Sequence, residues 1–200
     1  MRRNAYIEMR IKDETKEKQI LDTALGVIAK TGLSGLKMTE LAKEAGVATG
    51  TVYIYFQDKD ELIRSLYIYL MKQSVQGLTN NVQASEPLKV RIKKITHNYF
   101  YIKLLNPKRS AFFEQYFRSP YYQDTEIVSH KEESLILPIY NIVVEGQHQG
   151  IIKEANPELL VTLICGMLNQ LVQTTLYTQQ VLSEADWELT FRVIWDGIKS

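Results

Sequence analysis

The chain is poor in several features that would have fixed its chemistry at once. Cys165 is the single cysteine, so one chain can form neither an internal disulfide nor a cysteine-based metal cluster. That composition fits a reducing, cytoplasmic setting. Glycine and proline are few, 10 and 5 in 200 residues. Gly32, Gly46, Asn106–Pro107, Ser119–Pro120, Gly150 and Asn156–Pro157 punctuate otherwise periodic segments, as an all-α chain requires. There is no excess of either charge: 24 Lys and Arg stand against 23 Asp and Glu, a net charge of +1. Bulk electrostatics therefore announces no nucleic-acid partner, and any such contact must rest on a local arrangement of basic and polar groups. Long apolar runs are also missing. Leu159 to Val172 is interrupted by Asn169 and Gln170 and is too short to span a bilayer, so it reads as a buried core helix. Met1, Arg2 and Arg3 are followed by no apolar segment of the kind a secretory leader needs. A soluble protein without a membrane partner is expected.

Catalytic grammar is absent as well. There is no HExxH, no phosphate loop, no nucleotide-binding glycine fingerprint and no Cys–His pairing of recognised spacing. Glu114 and Glu126 are the one imaginable acid–base pair, and nothing in the sequence brings them together. His97, His130 and His148 lie too far apart to read as a metal motif. No enzymatic activity and no cofactor are expected.

What is present is helical periodicity. Lys16 to Lys30 places Leu21, Ala24, Leu25 and Ile28 on one face, flanked by Ile20 and Val27, and Gly32 follows as a natural C-cap because it tolerates positive φ. The residues before about Thr15 read as an arm or a frayed helix start. Leu36 to Ala45 and Thr49 to Phe56 read as two short helices separated by Gly46. Asp58, with Glu61 three residues on, opens a fourth helix through an approximate capping box. That helix runs to about Leu78, and the polar stretch Thr79 to Pro87 is a connector. Further helices are expected over Leu88–Leu105, Lys108–Arg118, Asp124–Gln149, Pro157–Gln179 and Glu184–Lys199. A domain of residues 1–60 is followed by one of residues 61–200.

Met38 to Phe56 has the pattern of a helix-turn-helix. Leu41, Ala42 and Ala45 form the apolar side of its first helix, Gly46 makes the turn, and Val47, Val52 and Phe56 close a small core. The opposite face of the second helix carries Thr49, Gly50 and Tyr53, groups suited to the major groove. Tyr53 and Tyr55 can hydrogen-bond phosphate oxygens, with packing as the alternative for both. Ile54 is apolar and suited to a thymine methyl. Lys59 starts the next helix, where it either pairs with a phosphate or is an ordinary solvated charge. Lys37 and Thr39 flank the start of the first helix, where free N–H groups favour phosphate.

These residues carry a resemblance. Ile20-Leu21-x-x-Ala24 through Leu62, and above all Leu41-Ala42-x-x-Ala45-Gly46-Val47-x-x-Gly50-Thr51-Val52-Tyr53-x-Tyr55-Phe56-x-x-Lys59-x-x-Leu62, resemble the N-terminal domain of TetR-family transcriptional regulators. The resemblance implies an all-α protein: a three-helix DNA-binding head, a connecting fourth helix, and a helical body that dimerises and binds a ligand. It implies a homodimeric repressor, released from a palindromic operator in double-stranded DNA by a small-molecule effector. An activator, a family member regulated by a partner protein, and a helical ligand carrier without DNA binding remain alternatives. The chain departs from the family at Ala48, where serine is common, at Thr49, often basic, and at Lys37, often threonine. These changes bear on the operator sequence. Lys37, Thr39, Ala48, Thr49, Gly50, Tyr53, Ile54, Tyr55 and Lys59 are the candidate DNA-binding residues.

Beyond residue 88 the resemblance is one of layout. Leu159, Leu160, Thr162, Leu163, Cys165, Gly166, Met167, Asn169, Gln170 and Val172, with Trp187, Leu189, Phe191, Val193, Ile194 and Ile198, belong to two helices that by resemblance form a four-helix dimer interface. An intrachain core is the alternative. The middle of the chain is crowded with aromatic residues, which suits a cavity for a largely apolar or aromatic ligand. Tyr67, His97, Phe100, Tyr101, Phe113, Tyr116 and Phe117 are the candidate ligand-binding residues.

Overall fold

The computed structural model describes residues 13–123 and 129–200, and the side chains of these outside 123–136. The expected N-terminal arm, most of it, and Glu126 lie outside the described residues, as does the side chain of His130. The described elements are helices: α1 (Glu14–Gly35), α2 (Met38–Glu44), α3 (Thr49–Tyr55), α4 (Lys59–Leu78), α5 (Leu88–Leu105), α6 (Pro107–Phe117), α7 (Pro120–Gln123), α8 (Ser129–His148), α9 (Pro157–Thr178) and α10 (Glu184–Ile198). The chain divides into two compact units, Met1–Leu70 with Lys108–Val128, and Met71–Pro107 with Ser129–Ser200. Residue 60, the boundary expected from the sequence, falls inside α4, whose residues through Leu70 belong to the first unit.

In the first unit, α1 begins at Asp13, whose carboxylate accepts hydrogen bonds from the Thr15 and Lys16 N–H groups at 3.0 and 3.4 Å. Ile20, Leu21, Ala24, Val27 and Ile28 form its buried stripe. At Gly32 the backbone takes φ 74° and breaks the helical path, as its glycine suggested. The break frees the Leu33 N–H, which donates to Gln115 Oε1 of α6 at 3.0 Å. Helix α4 starts as its sequence implied: the Glu61 N–H donates to Asp58 Oδ1 at 2.7 Å, and Glu61 reaches back to accept from the Gln57 N–H at 2.6 Å. Leu62, Ile63 and Leu66 are fully buried. Tyr67 of α4 stacks on Tyr116 of α6 with ring centroids 4.2 Å apart, and Phe113 meets Tyr67 edge-on.

The core of the second unit is built by α5, α8, α9 and α10. Leu88, Ile92 and Phe100 pack with Ile142, Val143, Leu160, Leu168, Val172, Trp187, Phe191 and Ile194. Arg91, only 8% exposed, donates through Nη1 to both Glu145 carboxylate oxygens, at 2.7 and 2.9 Å. That guanidinium holds the Glu145 carboxyl below its ordinary pKa. Asn156 caps α9, with Pro157 in the first turn, and Ser183 and Asp186 form a reciprocal capping box on α10.

Helix α9 covers the helix expected over Pro157–Gln179 to within one residue. At 22 residues it is long and apolar enough, by length and composition alone, to cross a membrane. One stripe of it, Leu160, Ile164, Leu168 and Val172, is in the core of this unit. Asn169, which interrupts the run, turns toward α5. Its Oδ1 accepts from the Tyr99 hydroxyl at 2.9 Å and from the Lys103 ammonium at 2.6 Å. Burial raises the pKa of both the Tyr99 hydroxyl and the neighbouring Cys165 thiol, so both are neutral at pH 7.

Gly146 sits where a Cβ would lie 2.5 Å from Ile152 Cδ1 and 2.6 Å from Leu88 Cδ2. Those two side chains are 1% and 5% exposed, so neither can swing away freely. Gly146→Val is expected to lower stability by about 1–3 kcal/mol through overpacking, read as a lower urea midpoint at unchanged slope, with partial recovery on adding Ile152→Ala.

Candidate nucleic-acid interface

Helices α2 and α3 are 7 residues each, too short to persist alone in water. They hold because their inner faces are shared. Leu41, Ala42 and Val52 are fully buried, Phe56 is 1% exposed and Ala45 4%. Between them Gly46 takes φ 67°, a left-handed conformation that costs glycine little, and the Val47 N–H returns to the Ala42 carbonyl at 3.0 Å. A further tie comes from α1, where Gln19 Nε2 donates to the Ala45 carbonyl at 2.8 Å. Sequence reasoning missed this bond, because Gln19 is an unremarkable polar residue 26 positions away.

Sealing one side of the pair decides what the other presents. Tyr53 is 50% exposed and Ile54 70%. Gly50 is exposed, with open space where a Cβ would stand. Ala48 occupies the N-cap of α3 and offers no side-chain cap bond, and Thr49 is half-buried. Lys37 and Thr39 are exposed at the start of α2, where Lys37 pairs with Glu40 at 3.1 Å. Lys59 is half-buried and donates to the Ser34 carbonyl at 3.1 Å, bracing α4 against the end of α1. Two of its three ammonium protons remain beyond that bond.

For Tyr55 the structure favours the packing alternative. Tyr55 is only 7% exposed, with its ring 6.4 Å from that of Phe56. Its ring packs within the head. In a short helix, Tyr53 and Tyr55 stand about 200° apart, so when one faces out the other faces in. The sequence places Tyr53 on the face opposite Val52 and Phe56, which leaves Tyr55 on the inner side.

The candidate ligand residues fall in both units. In the first, Tyr67, Phe113 and Tyr116 are buried among one another, and Phe117 is 47% exposed. These three buried rings are core packing. In the second, Phe100 is 1% exposed and packs beside Trp187, so it too is core. His97 and Tyr101 instead line an open cleft of about 600 Å³, together with Trp187, Lys93, Glu184 and Asn81. Trp187 was expected at a dimer face and turns out to wall this cleft while packing in the core. No sequence signal linked it to His97, because 90 positions separate them.

Helices α9 and α10 divide the residues expected at a dimer interface. Leu160, Val172, Trp187, Phe191, Ile194 and Ile198 are core, while Leu159, Leu163, Met167, Leu189 and Val193 are 43–56% exposed. Gly166 lies on the same outward side, with nothing within 4 Å of a Cβ placed there.

Residues 20–66 match the family model described as bacterial regulatory proteins, tetR family. Residues 87–199, more than half of the chain, match the one described as tetracyclin repressor-like, C-terminal domain. The chain belongs to the TetR family. TetR-family relatives cover nearly all of it. A TetR-family transcription regulator from Marinobacter aquaeolei VT8 superposes with a TM-score of 0.85 at 26% identity, over 96% of this chain and 99% of that one. A putative TetR-family regulator from Vibrio parahaemolyticus does so at 0.82 and 26%, over 92% and 98%. The fatty acid metabolism regulator protein of Bacillus subtilis is 25% identical over 82% of this chain and 86% of its own. The protein is a helix-turn-helix, DNA-binding transcriptional regulator of the TetR family, and α2–α3 is its helix-turn-helix.

The inward and outward tyrosines separate in a stability measurement. Tyr55→Ala is expected to cost about 3–5 kcal/mol, as for a buried aromatic truncated to alanine. Tyr53→Ala is expected to stay within about 0.5 kcal/mol of the parent. Equal losses in thermal or urea unfolding would contradict the assignment of faces.

Proposed function

We propose that this TetR-family regulator is a cytoplasmic, homodimeric repressor that reads a palindromic operator through α3 and leaves it when a small, largely apolar or aromatic effector binds. It acts as a regulator and not as a catalyst. The observation that carries the reading is the outward face of α3: Tyr53 and Ile54 stand in solvent on a helix whose other side is sealed. Tyr53 donates its hydroxyl to a phosphate oxygen, and Ile54 packs on a thymine methyl in the major groove. Thr49 and Gly50 let the start of α3 approach the base edges, with Ala48 beside them. Lys37, Thr39 and Lys59 supply phosphate contacts around the same face.

Dimerisation follows from need and from surface. One head contacts too few bases for selective binding, and two heads set about 34–36 Å apart, or a multiple of that, read both halves of a palindrome. The outward side of α9 and α10, with Leu159, Leu163, Met167, Leu189 and Val193 exposed, supports a second copy as its occupant. Such apolar stripes rarely stay in water, and Gly166 lets two backbones approach. The Bacillus subtilis relative is a regulator of fatty acid metabolism by name, which agrees with an effector rich in apolar surface. The effector acts by preferring the form of the dimer whose heads do not fit adjacent grooves, and its leverage equals its difference in affinity for the two forms.

A gel shift on the DNA upstream of the protein's own gene tests the reading: tight binding that weakens steeply with salt is expected, and salt-independent or absent binding would overturn it. Tyr53→Phe should lose about 0.5–1.5 kcal/mol per half-site, while Lys59→Ala should weaken all sequences alike and flatten the salt slope by about 1. Ile54→Ala should cost affinity on thymine-containing operator and nothing further when the contacted thymine is replaced by uracil. Leu163→Glu should convert the dimer to a folded monomer in analytical ultracentrifugation and abolish tight operator binding.

A further inference from the structure

The cleft in the second unit is built from three places in the chain. Lys93, Lys94, His97, Asn98 and Tyr101 come from one face of α5, Ser183, Glu184, Trp187 and Glu188 from the first turns of α10, and Asn80 and Asn81 from the connector before α5. Three flat groups make its wall. The His97 ring lies 4.5 Å from Tyr101 and meets Trp187 edge-on at 5.0 Å.

The charges around this wall are mostly spent on one another. The Lys93 ammonium pairs with Glu188 and lies 5.7 Å from the centre of the Phe191 ring. Lys94 pairs with Glu86 and donates to the Asn81 carbonyl at 2.8 Å. Among the described residues, the Glu184 carboxylate has no such partner. Partial burial, and then the Lys93 ammonium, hold the His97 imidazole below its ordinary pKa, so it is neutral at pH 7 and offers one donor and one acceptor. Asn98 uses its amide N–H groups on the Leu78 and Asn80 carbonyls, at 2.9 and 3.0 Å, and keeps its own oxygen as an acceptor. The uncommitted acceptors at the cleft are thus Glu184, the Asn98 oxygen and one nitrogen of His97, beside donors from the other His97 nitrogen, the Tyr101 hydroxyl and the Trp187 indole. Both ammonium groups are already neutralised.

We propose that this cleft is a binding site for a planar, nitrogen-rich aromatic ring that carries N–H donors and no anionic group. The ring stacks on His97 and Tyr101 and abuts the buried Trp187, only 6% exposed, and its N–H groups donate to Glu184 and Asn98. An anionic ring of the same size is disfavoured, because it meets an unpaired carboxylate and finds both lysines engaged. The inference goes beyond the regulatory reading. Its test needs no DNA, so its failure would leave the operator reading untouched, and the reverse.

The test titrates adenine, and separately salicylate, into the full-length protein while following the indole N–H resonances of its 2 tryptophans. Adenine is expected to shift the Trp187 signal saturably, with a dissociation constant of about 1 mM or tighter, and to leave Trp195 in place; salicylate should bind at least about tenfold more weakly. His97→Ser and Glu184→Ala replace side chains that reach solvent, so the fold should survive, and each should weaken adenine binding about three- to tenfold. A linear shift common to both indoles, equal affinity for salicylate, or unchanged affinity in both variants would overturn the assignment.

Discussion

Burial of the shared face between α2 and α3 is the constraint on which the operator-reading surface depends. Neither helix has the length to stand alone. Their stability comes from Leu41, Ala42, Ala45, Val52 and Phe56 leaving water together, and the Gly46 turn sets the angle at which this can happen. Ala42 and Ala45 are small because the helices cross closely. Once that side is closed, Tyr53 and Ile54 have nowhere to go but outward. On the proposed reading, recognition is a by-product of packing: the residues left for DNA are those the core does not take.

The ties around this platform are polar and point inward. Gln19 holds the turn through the Ala45 carbonyl, Lys59 holds the end of α1 through Ser34, and Gln115 takes the N–H that the break at Gly32 leaves free. Each satisfies a backbone group at a helix end, where the regular ladder runs out. Such bonds contribute modestly to stability one by one. Together they fix the position of α3, which on the proposed reading matters more than strength, since a small displacement would misplace every base contact at once.

The second unit shows the same division of labour. Helix α9 gives Leu160, Ile164, Leu168 and Val172 to the core and keeps Leu159, Leu163 and Met167 outside. Asn169 lies at the edge of the packed side, where Tyr99 and Lys103 satisfy its oxygen. A polar residue in an apolar run is tolerated there because its hydrogen bonds are made within the protein. The aromatic residues divide as well: Tyr67, Phe100, Phe113 and Tyr116 fill the interior, while His97 and Tyr101 border open space.

The sequence by itself determined the elements and their order. Helical period, glycine at Gly32 and Gly46, the Asp58–Glu61 cap and the Asn156–Pro157 start all act within a few residues, so local spacing reveals them. The helix-turn-helix was legible for the same reason: its core positions, its turn and its outward face all lie between Met38 and Lys59. Only the tertiary structure decided how deeply Tyr55 is buried, which apolar residues of α9 and α10 are core, and that His97, Tyr101 and Trp187 share one wall. Those outcomes depend on what packs opposite each side chain, and the partner lies tens of residues away. A periodic pattern states that a face will be buried, but the neighbour that arrives decides how far around the helix that burial extends.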